Sequence, residues 1–422
     1  MSGLRRRDVL RAAGAAGGLG VLGSLGAGRA DGASPRIEPP EREPPRVYED
    51  YAVHRVPEDH DTIQDAVNAA SPRDLVLVEP GVYNESVEVN TPNLTVRGTD
   101  RNGVILDGEF ERASGLSTSF PDVVFENMTA RHYTANGFYW YGVDGYRGSY
   151  LTAYNNGRYG VYAFNSVNGR FEHSYASGHP DSGFYVGQCQ PCRAVVENVV
   201  AEGNAIGYSG TNAGGQLVVR DSTWRHNMGG IVPNTLDSEK LAPQRRTRVE
   251  NNEVVGNNNE DAPTLAIGYP AFGTGINLAG GNGNEVVDNE VRDHLNFGVV
   301  VTPMIDDNWY APGDNLIARN VVENSGRADL ALGGPADPGN RFVDNEADTA
   351  RPGGIDGGAL GFAGRRVGDP WVTLLLGKAF LQTMVGEYPG GDWQGYPEPA
   401  DQPGMDDPTR PPREAVGREV DG

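Results

Sequence analysis

Three tyrosines, Tyr139, Tyr162 and Tyr185, follow one another at a constant step of 23 residues. Each stands two places after a glycine (Gly137, Gly160, Gly183) and directly after an apolar residue (Phe138, Val161, Phe184). If each glycine opens a strand, alternation sends the apolar residues to one face and the tyrosines to the other. Rings aligned in this way can stack on the C–H faces of sugars while polar neighbours meet the hydroxyls. The same ladder has a mechanical use, because aromatic neighbours on adjacent strands stabilise a sheet. Both readings stay open.

Beside the tyrosines lies Gly178-His179-Pro180-Asp181-Ser182. Histidine moves a proton near neutral pH, and an adjacent carboxylate orients it or holds a cation. With Arg158 to neutralise developing negative charge, His179, Asp181 and Arg158 form a candidate catalytic group. Tyr139, Tyr162 and Tyr185 are the candidate substrate-binding rings. The alternative is structural. His179 falls where neighbouring repeats carry Asn155 and Asn204, and Arg158 with Asp181 reads as a surface ion pair of little energy. Cys189 and Cys192 are the two cysteines of the chain. Their three-residue spacing in an exported protein reads as a local disulfide. A shared metal with His173 or His179 is the other option, but no second Cys-x-x-Cys pair is present. No metal or cofactor is required by these residues; Ca²⁺ is the ion that an acidic sugar would bring.

The element that must position these groups is set by the glycine step. It continues through Gly207 and Gly230, with intervals of 23, 23, 24 and 23. A fixed period means one structural unit stacked on itself. Each unit is too short for a helical hairpin and too rich in Gly, Asn and β-branched residues for leucine-rich turns. One coil of a parallel β-solenoid fits. Asn127, Asn198, Asn251, Asn289 and Asn320, with His173 and Asp221, are expected where each coil turns. Stacked, they would form an internal amide ladder. After Gly230 the next well-placed glycines are Gly275 and Gly298. Segments 233–246, 258–272 and 303–313 are therefore expected as loops projecting from one side and walling a groove.

The remaining organisation follows from composition. Residues 1–30 read as a targeting segment and 31–52 as a disordered Pro- and Glu-rich linker. Residues 53–348 are the solenoid, opened by a short helix capped by Asp61 with Gln64 in capping-box position. A Gly-rich connector spans 349–368. A helix over 369–386, with Pro370 at its first position, closes the far end or lies along the side. The tail 387–422 is Pro- and Asp-rich and reads as disordered.

The run from Thr62 to Gly108 opens Ile63-Gln64-Asp65-Ala66-Val67 and continues through Val78-Glu79-Pro80-Gly81-Val82-Tyr83-Asn84-Glu85. It resembles the opening of right-handed parallel β-helix proteins of the pectin-lyase-like superfamily. That resemblance implies an all-β solenoid and covers about residues 60 to 348. Relatives include polysaccharide-active enzymes and NosD-type periplasmic proteins associated with copper. The order His179-Pro180-Asp181 is similar to the Asp-Pro-His-Asp motif of mannuronan epimerases, with the first Asp missing and His and Pro transposed. The Gln-Asp-Thr of pectin methylesterases, the Gly-His-Gly of polygalacturonases and the Arg-x-Pro-x-x-Arg of pectate lyases are absent.

These features predict an exported β-helix that binds, and as an enzyme would process by elimination or epimerisation, an acidic polysaccharide or cell-surface glycan. A non-catalytic display solenoid and a NosD-like metal-handling protein are the alternatives. Arg5-Arg6-Arg7-Asp8-Val9-Leu10, the apolar run Ala12 to Ala27 and the small residues before Ala30 resemble a twin-arginine export signal. The expected location is secreted, cell-surface or periplasmic. The apolar run is too weak for a transmembrane span. A net charge of −22 with only Lys240 and Lys378 as lysines argues against nucleic acid as a partner. It also suits a high-salt setting, where self-repulsion is screened. Thermal unfolding should therefore shift upward by several degrees between dilute buffer and molar KCl. A maximum in dilute buffer would refute the high-salt reading.

Overall fold

The computed structural model describes residues 36–265, 268–356 and 368–420. The 23-residue step resolves into parallel strands stacked in register. Phe138 pairs with Val161, Val161 with Phe184, Phe184 with Tyr208 and Tyr208 with Ile231. The column continues across the longer insertion, through Ile276, Val299 and Leu330. All eight side chains are fully buried. The strands form an eleven-stranded sheet.

The other wall is a 21-stranded sheet made of two files of short strands. In the first file Phe125, Gly148, Phe171, Val196, Val219, Val249, Val286, Ile317 and Phe342 stand one above another. The two walls enclose one continuous apolar core.

The glycine repeat has a packing cause. A Cβ on Gly160 would lie 2.6 Å from the carbonyl oxygen of Gly183 one coil away, and on Gly137 2.8 Å from that of Gly160. Successive backbones approach too closely there for any side chain.

The turn column is Asn127, Tyr150, His173, Asn198, Asp221, Asn251, Asp288 and Arg319, all with φ between 50° and 58°. Left-handed backbone favours Asn and Asp, yet the stacked coils also hold Tyr and Arg there. Asn289 and Asn320 do not belong to this column. Each follows a turn residue and points inward, in a ladder with Asn252 and Asn345.

The long insertions enter at turns, while a one-residue irregularity between Gly214 and Leu217 lies within a strand. Segments 235–244 and 303–313 leave from the same corner, after strands Gly229–Asn234 and Phe297–Thr302. Segments 258–265 and 268–272 lie at the opposite edge, before Thr274–Ala279. The three loops thus flank the eleven-stranded sheet from both edges, not from one side.

The first helix is Ile63–Ala69, with Thr62 rather than Asp61 as its cap. Thr62 Oγ1 accepts from Asp65 N–H, and Glu85 accepts from Ile63 and Gln64 N–H at 3.0 Å each. Ile63, Ala66 and Val67 enter the core. The second helix, Pro370–Met384, is capped by Asp369. It lies along the side of the solenoid, where Val372 packs on Phe297, Val300, Ala328 and Ala331. Among the described residues no helix is long and apolar enough to cross a membrane.

The segments that composition assigns to disorder have defined places where they are described. Residues 41–48 and 412–420 pair antiparallel, joined at Arg42 with Glu419 and at Val47 with Arg413. They cover a column of charges on the outer face of the 21-stranded sheet. Arg97 bonds Glu126 at 2.8 Å, Arg147 bonds Glu172, Arg170 bridges Glu172 (3.2 Å) and Glu197 (2.5 Å), and Arg220 meets Glu197 at 2.7 Å. Arg97 also donates to the carbonyls of Pro408 and Arg410, and buried Arg101 to that of Pro403. Low hydrophobicity predicts disorder for an isolated segment. Here the partner is polar, so the segments dock through hydrogen bonds.

Arg97→Ala would leave Glu126, 0% exposed, with the weaker support of Arg147 and Arg410. The loss should be about 3 kcal/mol, read from the urea midpoint. Removing 388–422 should lower the same midpoint. If neither changes it, the strapping role is refuted.

Candidate functional site

The outward face of the eleven-stranded sheet carries the tyrosines in register, Tyr139 beside Tyr162 beside Tyr185. Tyr139 stacks on Tyr162 with centroids 4.9 Å apart and planes 14° apart, whereas Tyr162 meets Tyr185 edge-on at 4.8 Å. Strand spacing dictates these separations. Tyr159 lies flat on Tyr162 at 4.1 Å. A second file two residues along adds Tyr141 over Phe164 at 6.1 Å. Phe164 had no tyrosine's signature and was missed by spacing arguments; its alternation with Tyr162 is the signal that reveals it.

The strip is not uniformly open. Tyr141 is 47% exposed but Tyr185 only 1%. Its hydroxyl donates to Glu239 at 2.7 Å. The 235–244 loop thus roofs the third tyrosine. That loop is tied to the 303–313 hairpin, where Asn308 N–H and Tyr310 hydroxyl donate to Asp237 at 2.7 and 2.5 Å. Away from the roof Tyr141 is exposed and Tyr139, Tyr162 and Phe164 are half-buried.

At the boundary between unroofed and roofed rings sit two carboxyls. Half-buried Asp181 accepts from Ser182 Oγ at 3.0 Å. Burial pushes it up to about 6, against the opposing hydrogen bonds of Tyr159 and Ser182 and the charge of Arg158. Glu239 is pushed up to about 7, by burial first, with the charge of Asp181 adding to it. Two carboxyls raised toward neutrality, Asp181 the lower and Glu239 the higher, are suited to proton transfer. Glu239 carries no sequence signal; an inserted loop brings it in. Arg158 is exposed and forms no ion pair with Asp181, and its effect there is through space.

His179 does not reach this face. It is 0% exposed and belongs to an inward column, Asn156, His179, Asn204, Asn227, Asn257 and His294. Nδ1 pairs with Asn204 Oδ1 at 2.8 Å and Nε2 with Asn156 Nδ2 at 3.1 Å. Those contacts assign Nδ1–H as donor and Nε2 as acceptor. Burial pushes the ring down to about 4, and His294 to about 3. The neighbour one coil away is Asn156, not Asn155, which turns outward and donates to the Tyr396 carbonyl. Of the residues grouped from sequence, the fold brings together Tyr139, Tyr162, Tyr185, Asp181 and Arg158, and places His179 behind them in the wall.

Cys189 and Cys192 form a disulfide in a turn. Cys192 Sγ accepts from Gly214 N–H of the next coil. Among the described residues no group of three or more His, Cys, Asp or Glu could hold a metal ion.

Residues 81–239 match the family model for the right handed beta helix region. The chain is a right-handed parallel β-helix. Solved structures similar to this β-helix include pectate lyase Pel9A, at 12% identity and TM-score 0.47, covering 73% of this chain and 80% of that one. Another is the A-module of the Azotobacter vinelandii mannuronan C-5 epimerase AlgE4, at 15% and 0.43, covering 71% and 96%. A third is an alginate lyase from Paenibacillus sp. str. FPU-7, at 13% and 0.40, covering 71% and 99%. No curated protein matches the chain. Identities this low carry no information about the chemistry of this β-helix.

A histidine whose folded value is depressed favours the neutral, folded form. Its contribution is complete above pH 6.5 and is lost as pH falls from 6.5 toward 4. His179→Asn should keep the column, since Asn occupies equivalent rungs. It should remove about 1.4 kcal/mol of destabilisation per pH unit in that window. Urea titrations at pH 7, 6, 5 and 4 measure this. Coincident pH dependence in both proteins would mean that His179 titrates as an exposed group.

Proposed function

We propose that this β-helix is an exported carbohydrate-binding protein whose ligand lies across Tyr139, Tyr141, Tyr162 and Phe164. The observation that carries the reading is the aromatic face itself, with rings in register and stacked at 4.9 and 6.1 Å. The rings stack on one another, so the strip offers a sugar their edges and hydroxyls, with Tyr141 as its exposed member, to meet C–H groups and hydroxyls. Loops 235–244 and 303–313 bound the strip at its roofed end. Tyr185, in this reading, props the roof and does not touch ligand.

The chemistry available at that end is proton transfer on an acidic sugar. Elimination or epimerisation removes a proton from the carbon beside the carboxylate; ionised Asp181 is the base this face offers. Arg158 is the exposed cation able to neutralise the charge that builds up. Glu239, raised by burial to about 7 and so partly protonated near neutrality, is the group able to supply an acid. Export through the twin-arginine route rests on residues 1–30, which lie outside the described residues.

The competing reading is a rigid display solenoid, favoured by the roofed Tyr185: part of the ladder is plainly structural. Affinity electrophoresis and calorimetry against alginate, pectate and neutral glycans separate the two. Tyr162→Ala should weaken binding at least tenfold, about 1.4 kcal/mol, with the fold intact by circular dichroism. Retention of no polysaccharide by the unmutated protein would leave the display role standing and end the binding proposal.

A further inference from the structure

On the opposite wall, between the paired terminal segments and the charged column, lies a cavity of about 500 Å³. That volume falls within the range of small-molecule sites. Six arginines line it, Arg42, Arg147, Arg170, Arg193, Arg410 and Arg413, against two carboxylates, Glu43 and Glu172. In a chain of net charge −22 this is a marked local reversal.

We infer that this cavity is a binding site for a small sugar carrying a sulfate or phosphate ester. The carboxylates available to these arginines are shared. Glu419 serves both Arg42 and Arg193, at 3.2 and 3.5 Å. Glu126 serves Arg410 at 3.1 Å and Arg147 at 3.9 Å, beside its bond to Arg97. Glu172 serves Arg147 and Arg170, and Glu197 serves Arg170 and Arg220.

Arg413 has no ion pair among the described residues. The Nε atoms of Arg147, Arg193, Arg410 and Arg413 are buried with no acceptor. The four guanidiniums short of acceptors belong to residues that line one space, and an anion with several charged oxygens matches the positive charge they place there. Guanidinium forks bind phosphate and sulfate oxygens readily. Burial, with the like charges of Arg147 and Arg410 adding, also pushes Arg413 down to about 10, a repulsion that a bound anion would relieve.

The sugar part rests on a separate observation. Tyr150 and His173, both on the cavity wall, stack at 4.8 Å and 21°. They offer a flat plate beside the arginines, as a sugar ester requires. The opposite wall contains Pro39, Pro40, Pro44 and Pro45. Their fixed φ holds that wall in shape before any ligand arrives. The site is independent of the aromatic strip.

Calorimetry on the full chain at low salt, with glucose 6-sulfate, glucose 6-phosphate, inorganic sulfate and inorganic phosphate, tests this. Saturable binding is expected, at least tenfold tighter for an ester than for its free anion. The better ester identifies the source chemistry. Arg413→Gln should weaken binding at least tenfold, while Arg319→Gln, an exposed arginine paired with Asp288, should not. Without ligand the Arg413→Gln protein should melt no lower than the unmutated one, and saturating ester should raise the melting temperature of the latter alone. Tyr162→Ala should leave all of this unchanged. Absence of saturable binding, or equal affinity in Arg413→Gln, would overturn the site; equal affinity for esters and free anions would overturn its sugar assignment.

Discussion

Main-chain hydrogen bonding between successive coils is the constraint on which the rest depends. A parallel ladder leaves no backbone group unpaired only while each coil returns to the same register as the last. Side chains of equivalent position then stand in columns, whatever their chemistry. Apolar columns such as Phe138, Val161 and Phe184 fill the core. Polar inward columns must satisfy themselves, since water does not reach them. The run Asn156 to Asn257 does so, each rung donating to the next. His294 closes it by accepting from Asn257 through Nε2, while its Nδ1 is left without a partner among the described residues. Histidine is admitted because a neutral ring offers one donor and one acceptor in the same places.

Register also confines long insertions to the turns. An inserted residue within a strand would reverse every side chain beyond it. The long insertions accordingly leave at corners and return without disturbing the column: Ile231 still pairs with Ile276. Because the insertions border one sheet, that sheet is where the molecule departs from monotony. Its outer face is divided into an unroofed aromatic end, a stretch roofed by Glu239, and a stretch covered by Ala271 and the helix Pro370–Met384.

The other wall shows the cost of columns. Charged residues in register along a flat face repel or pair according to order. Arg97 pairs with Glu126 and Arg220 with Glu197, while Glu172, in register with Glu197, is neutralised by Arg147 and Arg170 from the neighbouring column. Covering them removes water, so each guanidinium needs carbonyl or carboxylate partners. The terminal segments supply these. A low-hydrophobicity tail that would stay disordered alone is held because its carbonyls complete buried arginines. The arginines in excess of their partners gather at one cavity.

Sequence by itself determined the coil, because a 23-residue step of glycines reports a close backbone approach that recurs once per turn. It also determined which tyrosines align, since period and alternation together fix both height and face. Tertiary structure alone decided which of them meet solvent. Whether Tyr185 is open depends on Glu239, 54 residues away and in a loop without a repeat. His179 could be placed at its height in the coil but not on its face, because one residue's shift at a turn exchanges Asn155 for Asn156 and outside for inside. The terminal segments escaped a compositional reading for a related reason. Composition measures what a segment can bury by itself, whereas these are held by unsatisfied groups on a surface that exists only after the coils have stacked.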